Sequence, residues 1–235
     1  MTATGSGLKP AMPALRRQWI PIRDRWFEAC RSPRPALILR ISANLIGAAG
    51  AGLFAWAGWR HYESTHSLVG AGFLAAQLWV VVAYLVRRPA SVVSQRTRDW
   101  LLAFGGTFGG VLFRPTGLHL RWGVDAGADL QVVGLVVCAA SFIFLGRSFG
   151  FAAADRGVKR RGPYAVVRHP IYASYVVLGL GYVLQSISLR NVLVMVFVCG
   201  CDVGRAVAEE HLLARSTDYA EYRAKVRWRL IPGIW

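Results

Sequence analysis

Residues 41–59 read ISANLIGAAGAGLFAWAGW, a run of 19 residues without a charged side chain. A helix needs about 20 mainly apolar residues to cross the hydrocarbon core of a bilayer, so this run predicts a transmembrane helix. Two shorter uncharged runs, 100–113 and 191–201, fit short or tilted crossings, re-entrant segments or buried helices. Three more runs of full length predict further crossings, at residues 67–86, 130–146 and 171–189.

The overall composition points to the same class of protein. Of 235 residues, 54% are hydrophobic and only 17% are charged, yet the formal net charge is +16. Soluble domains carry about 25% charged residues, so a typical soluble enzyme is excluded, as are an acidic disordered tail and a disulfide-stapled secreted module. A basic and apolar chain leaves two classes: a nucleic-acid binder, or a membrane protein with its positive charge on one side.

The position of the basic residues decides between these two classes. If all six runs cross with the N-terminus inside, 24 of the 28 Lys and Arg residues lie inside and 4 outside. The positive-inside rule therefore predicts six crossings with both termini cytoplasmic. Nucleic-acid binding is rejected, because no ladder of basic and aromatic residues occurs outside the apolar runs.

These patterns predict an all-α, polytopic helical membrane protein with five to six transmembrane helices. Residues 1–40 form a basic cytoplasmic leader that orients the chain and attracts anionic membrane lipid, and 41–129 hold the N-terminal crossings. Residues 130–235 form the remaining membrane core with a C-terminal helix and tail. The Arg-, Ala- and Gly-rich composition indicates a bacterial source, so a bacterial inner membrane is expected. No metal site is predicted, since the histidines lack paired spacing.

A polar segment precedes the run at 171–189. Pro170 suits the first turn of a helix, where its missing N–H is not needed, and His169 is then the capping residue. Free backbone N–H groups at such a helix start favour an anionic ligand group. Gly162-Pro163 predicts a turn that brings Tyr164 over the helix start. A plain helix start with interfacial Arg and Tyr side chains fits the same composition.

A second polar group follows the run at 191–201. Asp202, Arg205 and Glu209 share one stripe of a helix, and Asp202 lies at the edge of the apolar run. An ionisable residue at that depth is a candidate for function. The spacing of Arg205 and Glu209 is also that of an ordinary helical salt bridge, so a purely structural role remains open.

These motifs, taken in order, resemble the isoprenylcysteine carboxyl methyltransferase family, whose wider group includes phospholipid N-methyltransferases. The resemblance covers residues 130–235. Relatives often carry a Phe-Gly pair before the tail tyrosines, and the shorter segment 213–219 lacks it here. The residues that carry the resemblance are Gly162-Pro163-Tyr164, Arg168-His169-Pro170-x-Tyr172, Arg205-x-x-x-Glu209-Glu210, Tyr219-x-x-Tyr222 and Ile231-Pro232.

The resemblance implies an integral membrane enzyme that transfers a methyl group from S-adenosylmethionine to a lipophilic acceptor at the cytosolic membrane surface. Arg205 and Glu209 match the functional Arg and Glu of the family. The residues that would then bind the cofactor are Tyr164, Arg168, His169, Pro170, Tyr172 and Glu210.

The residue types fit that cofactor. Tyrosine faces stabilise a sulfonium by cation–π attraction, and Arg168 with His169 can take the carboxylate of the methionine moiety. Arg205 would orient a carboxylate acceptor, which needs no base, whereas an amine acceptor would need a carboxylate such as Glu209 to remove a proton. Lipids, fatty or isoprenoid acids, and hydrophobic thiols or amines remain open as acceptors.

Two alternatives remain. Sterol and steroid reductases have a related membrane architecture and use NADPH, so an NADPH-dependent membrane reductase is the second hypothesis. The third is a non-enzymatic transporter or scaffold. A transporter is disfavoured, because the polar motifs cluster on one face instead of breaking a helix at the midplane of the membrane.

Overall fold

The computed structural model describes residues 33–90, 92–115, 117–214 and 216–235. Most of the predicted basic leader, residues 1–32, lies outside the described residues. The chain divides into two units, residues 1–42 and 43–235, and the candidate site lies in the second.

The described part of the chain is mostly helical, which confirms the predicted all-α class at this level. Among the described residues, one pair of short antiparallel strands interrupts the helices, with Val92 opposite Asp155 and Val93 opposite Ala154. The elements are α1 (Pro33–Thr65), α2 (Leu68–Val86), β1 (Val92–Val93), α3 (Thr97–Phe108), α4 (Arg121–Leu145), β2 (Ala154–Asp155), α5 (Pro170–Gln185), α6 (Leu189–Leu213) and α7 (Thr217–Lys225).

Within the described residues, four helices are long and apolar enough to cross a membrane. They are Arg40–Thr65, Leu68–Val86, Arg121–Ser148 and Leu189–Leu213. The short run at 191–201 thus belongs to a full-length helix of 25 residues. The other short run forms the 12-residue helix α3, about 18 Å long at 1.5 Å per residue, with a short 3₁₀ extension at Gly109–Leu112. Helix α5, at 16 residues, also falls below the span length.

Helix α4 begins nine residues earlier than the uncharged run predicts. Its N-terminal part carries Asp125 and Asp129, and both side chains are exposed. The predicted boundary between the segments 41–129 and 130–235 falls inside α4, so α4 contains residues of both segments.

Small residues let the helices approach closely. A Cβ on Gly127 of α4 would lie 2.5 Å from the carbonyl oxygen of Gly181 of α5, and a Cβ on Gly181 would lie 2.6 Å from that of Gly127. Gly105 and Gly109 likewise face α6, where an added Cβ would contact Cys201 and Val198. The backbones can approach this closely because these positions lack Cβ atoms.

The C-terminal tail is bound to the start of α5. The backbone N–H of Arg168 donates to the carbonyl of Trp228 at 2.9 Å, and that of His169 donates to Arg229 at 2.9 Å. Val167 and Trp228 form a parallel bridge beside them. The tail therefore covers the helix start that the sequence marks as a candidate site.

Candidate functional site

A cavity of about 880 Å³, its open mouth included, lies between the loop 146–161, the start of α5, the end of α6 and α7. It collects six of the eight residues that the sequence nominates as site residues. Pro170 is buried at the first position of α5, outside the lining, and Glu210 lies behind it. The six lining residues are Tyr164, Arg168, His169, Tyr172, Arg205 and Glu209.

The start of α5 matches the predicted local structure. His169 is the N-cap residue, Pro170 opens the helix, and Gly162–Ala165 form a 3₁₀ turn that buries Tyr164. The N–H groups of Arg168 and His169, at the entrance to the helix, donate to carbonyls of the tail. The tail lies some 60 residues further along the chain, so local reasoning could not foresee this partner.

Glu210 is the centre of a buried ion network. Its Oε1 accepts from Arg168 Nε at 2.7 Å and lies 3.3 Å from His169 Nε2, and its Oε2 accepts from Arg229 Nε at 3.0 Å. The Arg168 and Glu210 side chains are only 5% and 6% exposed. Arg168 Nη1 also donates to the carbonyls of Val226 and Arg227 at 2.8 and 2.7 Å. Arg168 and Glu210, both predicted to bind cofactor, thus pair with each other and hold the tail through Arg168 Nη1 and Glu210 Oε2.

Glu209, the neighbouring residue, points into the cavity. Its Oε1 accepts from the Tyr172 hydroxyl at 2.5 Å, and its Oε2 lies 3.6 Å from His169 Nδ1. Its side chain keeps 25% exposure. The i,i+4 salt bridge with Arg205 that the spacing permits is not formed. Glu209 is instead oriented from α5 by Tyr172 and His169, whose rings stack at 5.8 Å between centroids.

His169 lies between the two carboxylates. Burial lowers the pKa of His169, but hydrogen bonds to Glu209 and Glu210, together with their negative charges, outweigh burial and raise that pKa above its ordinary value. Burial raises the pKa of Tyr164 well above the usual range, so its hydroxyl stays neutral. The site therefore favours a protonated imidazole beside neutral tyrosine rings.

Arg205 is fixed from three directions. Its Nη1 donates to Asp202 Oδ1 at 3.2 Å, and its Nη2 donates to the Phe151 carbonyl at 3.0 Å. Its guanidinium lies over the Tyr172 ring at 5.0 Å from the centroid. The Phe151 ring packs in turn against Phe104 of α3 at 5.1 Å. The pairing with Asp202 leaves Arg205 at the cavity wall with a fixed orientation.

Helix α3 reaches this ion pair through Gly106, which yields a test. A Cβ on Gly106 would lie 2.5 Å from Asp202 Oδ1 and 3.1 Å from Arg205 Nη1. We expect Gly106→Ala to lower the free energy of unfolding by about 1–3 kcal/mol, because the ion pair or α3 must shift. Gly110→Ala is the matched control, since no atom lies within 4 Å of its added Cβ. Denaturant unfolding in detergent would measure both; equal stability of the two variants would contradict the close contact.

The cavity lining also contains residues that the sequence did not nominate as site residues. Tyr175 lies one turn beyond Tyr172 on α5, a spacing that could have indicated it. Tyr219 and Tyr222 of α7 were recognised as motif residues without a place in the pocket, and Tyr222 donates to the Tyr164 carbonyl at 2.7 Å. The loop adds Arg156 and Lys159, for which the sequence carries no signal beyond charge.

No protein-family model matches the chain, and no curated protein matches it. Among the described residues, no three His, Cys, Asp or Glu side chains are grouped to hold a metal ion. The function proposed below therefore rests on the residues of the cavity.

Proposed function

We propose that this protein is a membrane methyltransferase that uses S-adenosylmethionine and acts on a lipophilic acceptor. One observation carries the proposal: a cavity lined by tyrosine rings, one partly exposed carboxylate and arginines lies at the ends of apolar helices. Small-molecule sites typically combine apolar walls with a few convergent polar groups.

The polar groups of the cavity suit the cofactor. The rings of Tyr164 and Tyr175 offer faces for a sulfonium cation, whereas the Tyr172 ring already contacts Arg205 and His169. Glu209 has carboxylate lone pairs left over to accept from an ammonium or a ribose hydroxyl. When bound, S-adenosylmethionine supplies an electrophilic methyl group for an in-line displacement. Such a reaction needs little acid–base chemistry, so positioning and exclusion of water are the contributions expected of the protein.

The chain's own residues divide these tasks. Arg205, held by Asp202 and the Phe151 carbonyl, presents a fixed guanidinium at the cavity wall and would orient a carboxylate acceptor. Glu209, held by Tyr172, would instead accept the proton if the acceptor is an amine. Tyr219 and Tyr222 of α7 line one side of the cavity and would limit the access of water there. Arg205 thus favours methyl transfer to a carboxylate acceptor over transfer to an amine.

The proposed setting is a bilayer, with five to six crossings, both termini cytoplasmic, and a bacterial inner membrane. The four long apolar helices support the membrane part of this proposal. The basic segments that contain the cavity loop and the tail support a site on the cytoplasmic side, by the positive-inside rule. An acceptor with an apolar chain would then approach from the lipid phase, while the cofactor arrives from the cytosol.

Ligand binding tests this proposal against its main rival. We expect the purified protein in detergent to bind S-adenosylhomocysteine in isothermal titration and not to bind NADPH. Radiolabelled methyl transfer into a membrane lipid extract would then identify the acceptor class. A label released by mild base marks an ester and hence a carboxylate acceptor. Binding of NADPH alone would support a reductase, and binding of neither ligand would support a non-enzymatic role.

A further inference from the structure

Three arginines line the cavity, and two of them already have carboxylate partners. Arg168 pairs with Glu210 and two tail carbonyls, and Arg205 pairs with Asp202 and the Phe151 carbonyl. Arg156 has no carboxylate within salt-bridge distance among the described residues. The sequence assigns an anionic ligand group to Arg168 with His169, but Nε and Nη1 of Arg168 are already bound to Glu210 and the tail. Arg156 is therefore the cavity arginine whose charge has no carboxylate partner among the described residues.

The backbone around Arg156 is held in place. Residue 155 belongs to β2, which pairs with β1. The carbonyl of Arg156 accepts from the Ser148 hydroxyl at 3.1 Å, and the N–H of Gly157 donates to the Asp155 carboxylate at 3.0 Å. The loop is tied to the end of α2 as well, because the Arg88 N–H donates to the Arg147 carbonyl at 2.7 Å.

The side chain of Arg156 is also directed. Its Nε donates to the carbonyl of Arg88 at 3.3 Å, which leaves both Nη groups for a ligand. The guanidinium lies against Gly150, where an added Cβ would overlap it. Gly150 and Arg156 both line the cavity. The missing side chain at Gly150 therefore makes the space that the guanidinium occupies.

The charge on Arg156 is only partly compensated. Burial and the charge of Arg87 lower the pKa of Arg156 to about 10, while Glu209 and Tyr84 act in the opposite direction. The guanidinium stays protonated at neutral pH, so it is a partly desolvated cation beside a cavity. A carboxylate would relieve this strain, since two parallel N–H donors match its two oxygens.

We propose that Arg156 binds the carboxylate of the amino-acid moiety of the methyl donor, an inference that rests on the proposed function. Lys159, on the same loop and in the same lining, adds a second positive charge. Arg205, which belongs to α6 and lies beside Gly106 of α3, then remains for the acceptor. Donor and acceptor carboxylates would thus be separated between two arginines on different elements.

The test compares two ligands that differ in that carboxylate. S-adenosylhomocysteine carries the amino-acid moiety, whereas 5′-methylthioadenosine keeps the nucleoside and thioether without it. In isothermal titration of the full-length protein in detergent, Arg156→Gln is expected to weaken S-adenosylhomocysteine binding about 10- to 100-fold, the range of a charged hydrogen-bonded pair. Binding of 5′-methylthioadenosine should stay within about 2-fold.

Arg160→Gln is the matched control. Arg160 lies on the same loop outside the cavity, where it pairs with Asp218 and Glu221 at the surface. The Arg160→Gln variant should bind both ligands as tightly as the unchanged protein does. Gly150→Ala provides a second variant that keeps the charge but displaces the guanidinium, and it should reproduce the selective loss.

Each other outcome overturns the inference. Equal weakening of both ligands by Arg156→Gln would mean a structural role for this arginine. Unchanged binding of S-adenosylhomocysteine with a raised KM for a carboxylate acceptor would place the acceptor, not the donor, at Arg156. If the unchanged protein binds neither adenosine ligand, the proposed function fails first, and this inference fails with it.

Discussion

Replacing Glu210 by alanine is expected to lower the free energy of unfolding by about 3–5 kcal/mol, the cost of leaving a buried charge without its partner. Arg168, 5% exposed, would lose the carboxylate at 2.7 Å from its Nε. Arg229 would lose its partner in the tail at the same time. The tail should then detach from the start of α5, so that binding and activity fall together with stability.

Denaturant unfolding in detergent, followed by circular dichroism, measures this loss. Glu221→Ala is the matched control, because Glu221 also faces an arginine but at 3.7 Å and with 67% of its side chain exposed. An exposed pair of this kind contributes less than about 1 kcal/mol. Similar losses for the two variants would show that the buried network is not what holds the tail.

The second large effect is expected at Arg205. Arg205→Lys keeps a positive charge opposite buried Asp202 but loses the planar pair of donors, so the fold should survive. We expect transfer to a carboxylate acceptor to fall by about 10²-fold, as when one fixed donor to a reacting group is removed. The dissociation constant of S-adenosylhomocysteine should change by less than about 3-fold.

Arg190→Lys serves as its control on the same helix, since Arg190 donates only to the carbonyl of Leu112 at the far end of α6. Its transfer rate should match that of the unchanged protein. If Arg205→Lys weakens binding of S-adenosylhomocysteine as much as it slows transfer, Arg205 belongs to the donor site. If neither quantity changes, Arg205 contacts neither ligand.

The two adjacent glutamates have different roles: Glu210 holds the fold together, and Glu209 faces the ligand cavity. Glu210 binds three basic side chains and ties α6 to the start of α5 and to the tail. Glu209 faces the cavity, with Tyr172 and His169 fixing its oxygens. His169 contacts both carboxylates, so a change at one is expected to reach the other through its ring.

Local patterns in the sequence were sufficient for several elements. Uncharged runs predicted the long apolar helices, because apolar side chains over that length have few other stable surroundings. Pro170 marked the start of α5. The uncharged run, by contrast, predicted the start of α4 nine residues too late, because the exposed Asp125 and Asp129 lie inside this helix.

The sequence by itself determined a chain of apolar helices and the polar residues that gather where α5 begins and α6 ends. Only the tertiary structure decided which of those residues face the cavity. Neighbouring residues on a helix point about 100° apart, so Glu209 and Glu210 face different directions, and the packing of α5 and the tail decides which of them faces the cavity. The same holds for Arg156, since its role depends on Gly150 and the end of α2, contacts that no local spacing encodes.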